Sequence, residues 1–208
     1  MRFHRTTTLT LSLFIVLFFN GCKNKTTSTV QNSVEVNGSM LTAKKDGNVT
    51  VQAWVVNGHV LPPEPDPTVN NATLLGVDVN DNGVRDDVER AIYKKFPKEI
   101  RRKQLMQQAK SDQSMMADDE AIKNAQKWQK IIANKNIACE KYLFRKFDID
   151  FNLEAYDYMD NIQYNTKDRV IKYMRYNHAL GGGVYFTPES IVNESSCEFN
   201  VTKALKAQ

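Results

Sequence analysis

Asp78-Val79-Asn80-Asp81-Asn82-Gly83-Val84-Arg85-Asp86-Asp87-Val88-Glu89-Arg90-Ala91-Ile92-Tyr93-Lys94-Lys95-Phe96-Pro97 is the stretch on which the fold turns. From Val84 onward its apolar residues recur every four positions, at Val84, Val88, Ile92 and Phe96, while Arg85, Asp87, Arg90, Lys94 and Lys95 lie off that stripe. This is the pattern of a helix with one face buried. Pro97 cannot continue it, because proline lacks the backbone N–H, and it is suited to opening the next helix.

Working outward from this helix, the C-terminal part of the chain reads as mainly α. A second helix is expected at roughly 98–116. A third starts near Asp118 and Asp119, with the stripe Ala121, Ala125, Trp128, Ile132, Cys139 and Leu143. Phe147, Ile149, Phe151 and Leu153 alternate with polar residues, which fits a short strand, an extended link or a helix entry. Two more helices are expected at about 152–164 and 166–179, the latter carrying Val170, Ile171 and Met174 inward and stopping at Gly181-Gly182-Gly183. A helix precedes that glycine triplet, so a C-cap suits it better than a phosphate cradle, which follows a strand. Thr187-Pro188 reads as the start of a short helix leading to Cys197.

Before the helix, residues 78–89 have the chemistry of a calcium loop. A hard cation taking six to eight oxygens needs short side chains from alternate positions of a tight turn, then a longer carboxylate from a following helix. Asp78, Asn80 and Asn82 fill positions 1, 3 and 5, and Gly83 permits the bend. The Val84 carbonyl, Asp86 and Glu89 fill positions 7, 9 and 12. The twelve residues resemble the EF-hand pattern DxNxNGxxDxxE, and the resemblance implies Ca²⁺ as the bound ion. Two features depart from a paired EF-hand. The segment Leu61–Pro67 holds four prolines and cannot be an entering helix, and Arg85 stands where paired loops place an apolar residue. A solitary loop with an exit helix is therefore expected, similar to calcium loops of extracellular bacterial proteins. The competing reading is a metal-free Asx turn before a helix capped by Asp86 and Glu89, which leaves Asp78 and Asn80 unexplained.

The N-terminus reads as an export signal. Arg2 and Arg5 precede an apolar run from Leu9 to Phe19, shorter than the roughly 20 residues a membrane span needs. It ends at Phe19-Asn20-Gly21-Cys22, which resembles a bacterial lipobox and implies lipidation at Cys22. With Lys23 following, the resemblance implies an outer-membrane destination where the organism has one. Residues 1–21 are thus a signal peptide, 22–70 a tether, and 71–208 the calcium loop plus helical domain. Within the tether, 49–56 reads as a short strand, Asn57-Gly58 as a hairpin turn, and residues 62–67 as a stiff extended spacer. Six Asn-x-Ser/Thr sequons would also suit a eukaryotic secreted chain, but the cysteine falls where the signal should end.

Removing residues 1–21 takes away Arg2 and Arg5 and lowers the net charge from +4 to +2, too little for a nucleic-acid binder. The cluster Lys94, Lys95, Lys98, Arg101, Arg102 and Lys103 reads as a solvated helical face. In an oxidising compartment, with Cys22 lipidated, Cys139 and Cys197 are expected to pair. Only His59 and His178 remain in the mature chain, and there is no zinc pair, GxSxG elbow or Walker loop. The expected function is a calcium-binding envelope lipoprotein acting as a structural or binding module. An inhibitor or immunity-like partner of another exported protein and an unadvertised hydrolase are the alternatives.

Overall fold

Asn57 and Gly58 both take positive φ, 49° and 78°, the backbone that a two-residue hairpin turn requires. They join strand β2 (Val49–Val56) to β3 (His59–Val60), with Val56 opposite His59. Strand β1 (Ser39–Lys45) pairs antiparallel on the other edge of β2, so the expected strand belongs to a three-stranded sheet of order β1-β2-β3. The computed structural model describes residues 39–45, 49–150 and 153–207, with side chains described from Trp54 onward. The export signal and Cys22 lie outside the described residues.

The rest is helical, and the chain is a mainly α protein. Helix α1 (Pro67–Asn70) is a single turn, started by Pro67 and capped by the Asp66 carboxylate, which accepts from the Thr68 and Val69 amides. It is followed by α2 (Asp86–Lys95), α3 (Glu99–Ala117), α4 (Glu120–Lys123), α5 (Ala125–Trp128) and α6 (Asn134–Phe147). Next come α7 (Leu153–Gln163), α8 (Lys167–Ala179), two 3₁₀ turns at Glu189–Ile191 and Glu194–Ser196, and α9 (Val201–Lys206).

Helix α3 is the axis of the packing. Leu105 and Ala109 join Val56, Leu61, Val84, Val88, Ile92, Tyr93 and Met159 in one apolar cluster. Ile100 joins Cys139, Leu143, Cys197, Val201 and Ala204 in a second, and Met115 and Met116 join Ala121, Ala125 and Tyr176 in a third. Because α3 is contacted on several sides, it needs no single apolar stripe. A disulfide joins Cys139 to Cys197, Cα atoms 4.9 Å apart, and ties the C-terminal segment to α6.

Three expectations need correction, and one left open is decided. The packed body begins before residue 71: Val56 and Leu61 are core residues, and Arg90 donates to the Pro62 carbonyl at 2.6 Å and to Glu64 at 2.5 Å. The proline run thus lies docked along α2 and is no free spacer. The third helix is not continuous, because Asn124 leaves helical geometry (φ −115°, ψ 34°) between α4 and α5, and a π-helical turn over Gln129–Ala133 precedes α6. Among the described residues of 147–153 no strand forms; Asp148 at φ 54° closes α6 in the left-handed cap that a short polar side chain tolerates.

The third correction concerns α8, which faces the other way. Val170, Ile171 and Met174 are exposed, whereas Arg169, Lys172 and Tyr176 are buried. The reason is polar. All five Arg169 donors are used, on the carbonyls of Asn70, Thr73 and Leu74 and the side-chain oxygens of Asn71 and Asn165. Lys172 Nζ meets Asp119 at 2.5 Å, and the Tyr176 hydroxyl donates to Gln129. Buried carbonyls left without donors cost about 1–3 kcal/mol each, comparable to burying one aliphatic side chain, and here they decide the orientation.

Candidate metal centre

The twelve-residue turn is built from short local bonds. The Asp78 carboxylate accepts from the backbone amides of Asn82 (3.2 Å) and Gly83 (2.9 Å), and the Asn80 and Asn82 side-chain oxygens accept from the amides of Asn82 and Val84. Asp81 and Gly83 have φ of 51° and 82°, which bend the chain back on itself. At the exit, Asp86 and Glu89 occupy the first turn of α2, where carboxylates are favoured by the helix N-terminus.

Asp78, Asn80, Asn82 and Glu89 come together. The amides of Asn80 (3.2 Å) and Asn82 (2.6 Å) donate to Glu89 Oε2, and His59 Nε2 contacts Glu89 Oε1. Asp86 sits behind the turn, its carboxylate accepting from the Val79 amide at 3.2 and 3.3 Å. The Val84 side chain is buried in the core, which fixes the backbone at position 7. Among the described residues no three His, Cys, Asp or Glu side chains converge closely enough to hold a metal by themselves. The loop's candidate donor set is mixed, with three carboxylates, two amides and one carbonyl.

Asp86 and Glu89 are both wholly buried. Burial pushes the Asp86 carboxyl up to about 6; the Val79 amide opposes this, and the charges of Asp78, Glu89 and Asp87 reinforce it. Glu89 moves the other way: burial disfavours its charge, but the hydrogen bonds from His59, Asn82 and Asn80 prevail and hold it below the usual carboxylate range. Two acids are thus buried at the turn, Glu89 at its centre and Asp86 behind it. Among the described residues, the one basic side chain in contact with Glu89 is the His59 ring.

Sequence reasoning missed His59, which it placed in a tether. Strand β3 carries it to Glu89, and its ring stacks on Tyr93 of α2 with centroids 4.4 Å apart. It also missed the use of Arg85 at position 8, which is buried and donates to the carbonyls of Ile162 and Gln163 and to Asp87 and Asn165. Arg85 replaces the apolar side chain of a paired loop with an anchor to the end of α7. The loop opens beside α3 on a hollow of about 330 Å³, where His59, Asn82, Tyr93, Lys103 and Lys110 face it.

The other candidates are placed apart. Cys139 and Cys197 are joined to each other, and His178 lies exposed near the end of α8. Asp119 is engaged by Lys172, and Asp118 caps the Glu120 amide. In the basic cluster, Arg102 is buried, donating to the Phe96 carbonyl, and Lys94 and Lys95 pair with Glu64 and Glu154. A half-buried acid that periodicity did not reveal is Asp112 of α3, which shares a hydrogen bond with Tyr164 and faces the charge of Asp160. No protein-family model, curated protein or solved structure matches the chain.

Proposed function

We propose that the chain is a calcium-stabilised structural or binding module of a bacterial envelope, attached through lipid at Cys22, in which residues 78–89 take up one Ca²⁺. The observation that supports this reading best is the Asp78 carboxylate accepting the amides of Asn82 and Gly83. That pair of bonds holds the loop in a closed turn, with Asn80, Asn82 and Glu89 drawn to one centre. The fit to a hard cation is chemical: every candidate ligand is an oxygen, and each Asn that now donates to Glu89 carries an amide oxygen on the same carbon. Asp78, Asn80, Asn82, the Val84 carbonyl, Asp86 and Glu89 would hold the ion. Bound there, Ca²⁺ would supply positive charge to the two buried carboxylates.

The site would act as a staple. Arg85 and Val84 fix one side of the loop to α7 and the core, and His59 brings the sheet to the other. With three carboxylates and two neutral amides the affinity belongs to the weak extracellular range, Kd about 10⁻⁴ M. At about 1 mM Ca²⁺ the linkage is then about 1.4 kcal/mol, several degrees in melting temperature. Calorimetric titration should find one Ca²⁺ site with Mg²⁺ much weaker, and Asp78→Ala or Glu89→Gln should abolish both the heat and the thermal shift. A melting curve unchanged when Ca²⁺ is added to EDTA-treated protein would refute the staple. The anchor has its own test: Cys22→Ser should release the protein from the detergent phase, and a wild-type chain wholly soluble after export would contradict it.

A further inference from the structure

Helix α8 buries Arg169 and Lys172 and shows its aliphatic side chains to solvent. Met174 is 62% exposed, with Val170 and Ile171 beside it, and α4's Ile122 joins Ile171, Met174 and Ala179 in an apolar groove of about 470 Å³. Exposed aliphatic residues on successive turns of one helix, in place of a solvated face, mark a surface that is covered in use.

The charges beside the stripe say by what. At about 100° per residue, Asp168 and Arg175 fall on the same flank of the exposed face, two turns apart, with Ile171 between them. Both are exposed, and among the described residues no direct hydrogen bond or salt bridge engages either side chain, the Arg175 charge being felt at Asp119. When two copies of one helix pack antiparallel about a twofold axis, each flank meets the same flank of the other helix. An acid and a base on one flank are then complementary to themselves.

We propose that α8 pairs with α8 of a second copy of this chain, antiparallel, about a twofold axis crossing the helix beside Ile171. In that register Asp168 of each copy faces Arg175 of the other, twice over. Ile171 packs on its own counterpart, and Met174 lies over Val170. A lipid surface would select a flank of one sign, whereas this flank carries both. Two thirteen-residue helices, each about 20 Å long, sit at the small end of what holds a complex together, so the dimer forms with concentration.

Sedimentation of the intact chain over a concentration series tests the pairing. The wild type should show a monomer–dimer equilibrium, and Met174→Asp should abolish it. Asp168→Arg should weaken it roughly tenfold by setting like charges opposite each other, and the double exchange Asp168→Arg/Arg175→Asp should restore it. All three positions are exposed, so an unchanged far-ultraviolet spectrum shows that folding is intact. A chain monomeric at every concentration, a dimer indifferent to Met174→Asp, or a double variant that stays weak would overturn the proposal. So would binding through this face to anionic phospholipid vesicles or to a different protein with no self-association.

Discussion

Replacing Arg169 with Leu tests whether polar bonding, and not apolar burial, sets the orientation of α8. The guanidinium is fully buried and spends its five donors at 2.6–3.0 Å on three backbone carbonyls and two amide oxygens. Leucine offers none of these. Three carbonyls between Asn70 and Leu74 lose a donor, at about 1–3 kcal/mol for each that water cannot reach; the apolar volume regained offsets about 1.5–3 kcal/mol. The expected net loss is about 3–5 kcal/mol, in the range found when one partner of a buried charged network is removed. Arg169→Lys, with three donors and a point charge, should cost roughly half as much. Urea denaturation gives the loss as a lower midpoint at unchanged slope. Hydrogen exchange should show the Val77 amide, now bound to Asn70 Oδ1, opening first. A loss below about 1 kcal/mol would refute the reasoning, because the carbonyls would then be satisfied without the guanidinium.

Gly76 holds φ 63°, and a Cβ there would meet Arg85 Cδ at 2.3 Å, Asn70 Oδ1 at 2.5 Å and Arg169 Nη2 at 2.9 Å; Gly76→Ala should therefore cost about 2 kcal/mol or more by the same denaturation assay. Opening the Cys139–Cys197 disulfide, with Cys139→Ser and Cys197→Ser together, releases a loop closed across a separation of 58 residues; the chain-entropy model gives a loss of about 4 kcal/mol, read from the denaturation midpoint. Asp112 is pushed up to about 8 by burial and by the charge of Asp160. For an acid whose folded pKa is raised, the folded state holds the proton longer, so stability falls as pH rises from about 4 to about 8. Asp112→Asn should remove that part of the slope and raise stability near pH 8 by roughly 1–2 kcal/mol, measured as denaturation midpoints across the pH range.

Local rules carried much of the architecture. The stripe of Val84, Val88 and Ile92, the turn chemistry of Asn57-Gly58 and the break at Pro97 all act within a few residues, so their physics is complete in the sequence. The same holds for the turn over residues 78–89: Asp78, Asn80, Asn82 and Gly83 bond to one another and need no distant partner. What only the tertiary structure decided is where long-range polar demand overrules a local pattern. Val170, Ile171 and Met174 form a sound apolar stripe, yet the carbonyls of Asn70, Thr73 and Leu74, almost a hundred residues earlier, draw Arg169 inward and turn that stripe to solvent. His59 likewise has no neighbour in sequence to announce its role; a hairpin of the sheet brings it to Glu89 across thirty residues. Periodicity counts which residues avoid water, whereas a buried carbonyl needs one particular donor, and the chain's path in space determines which donor can reach it.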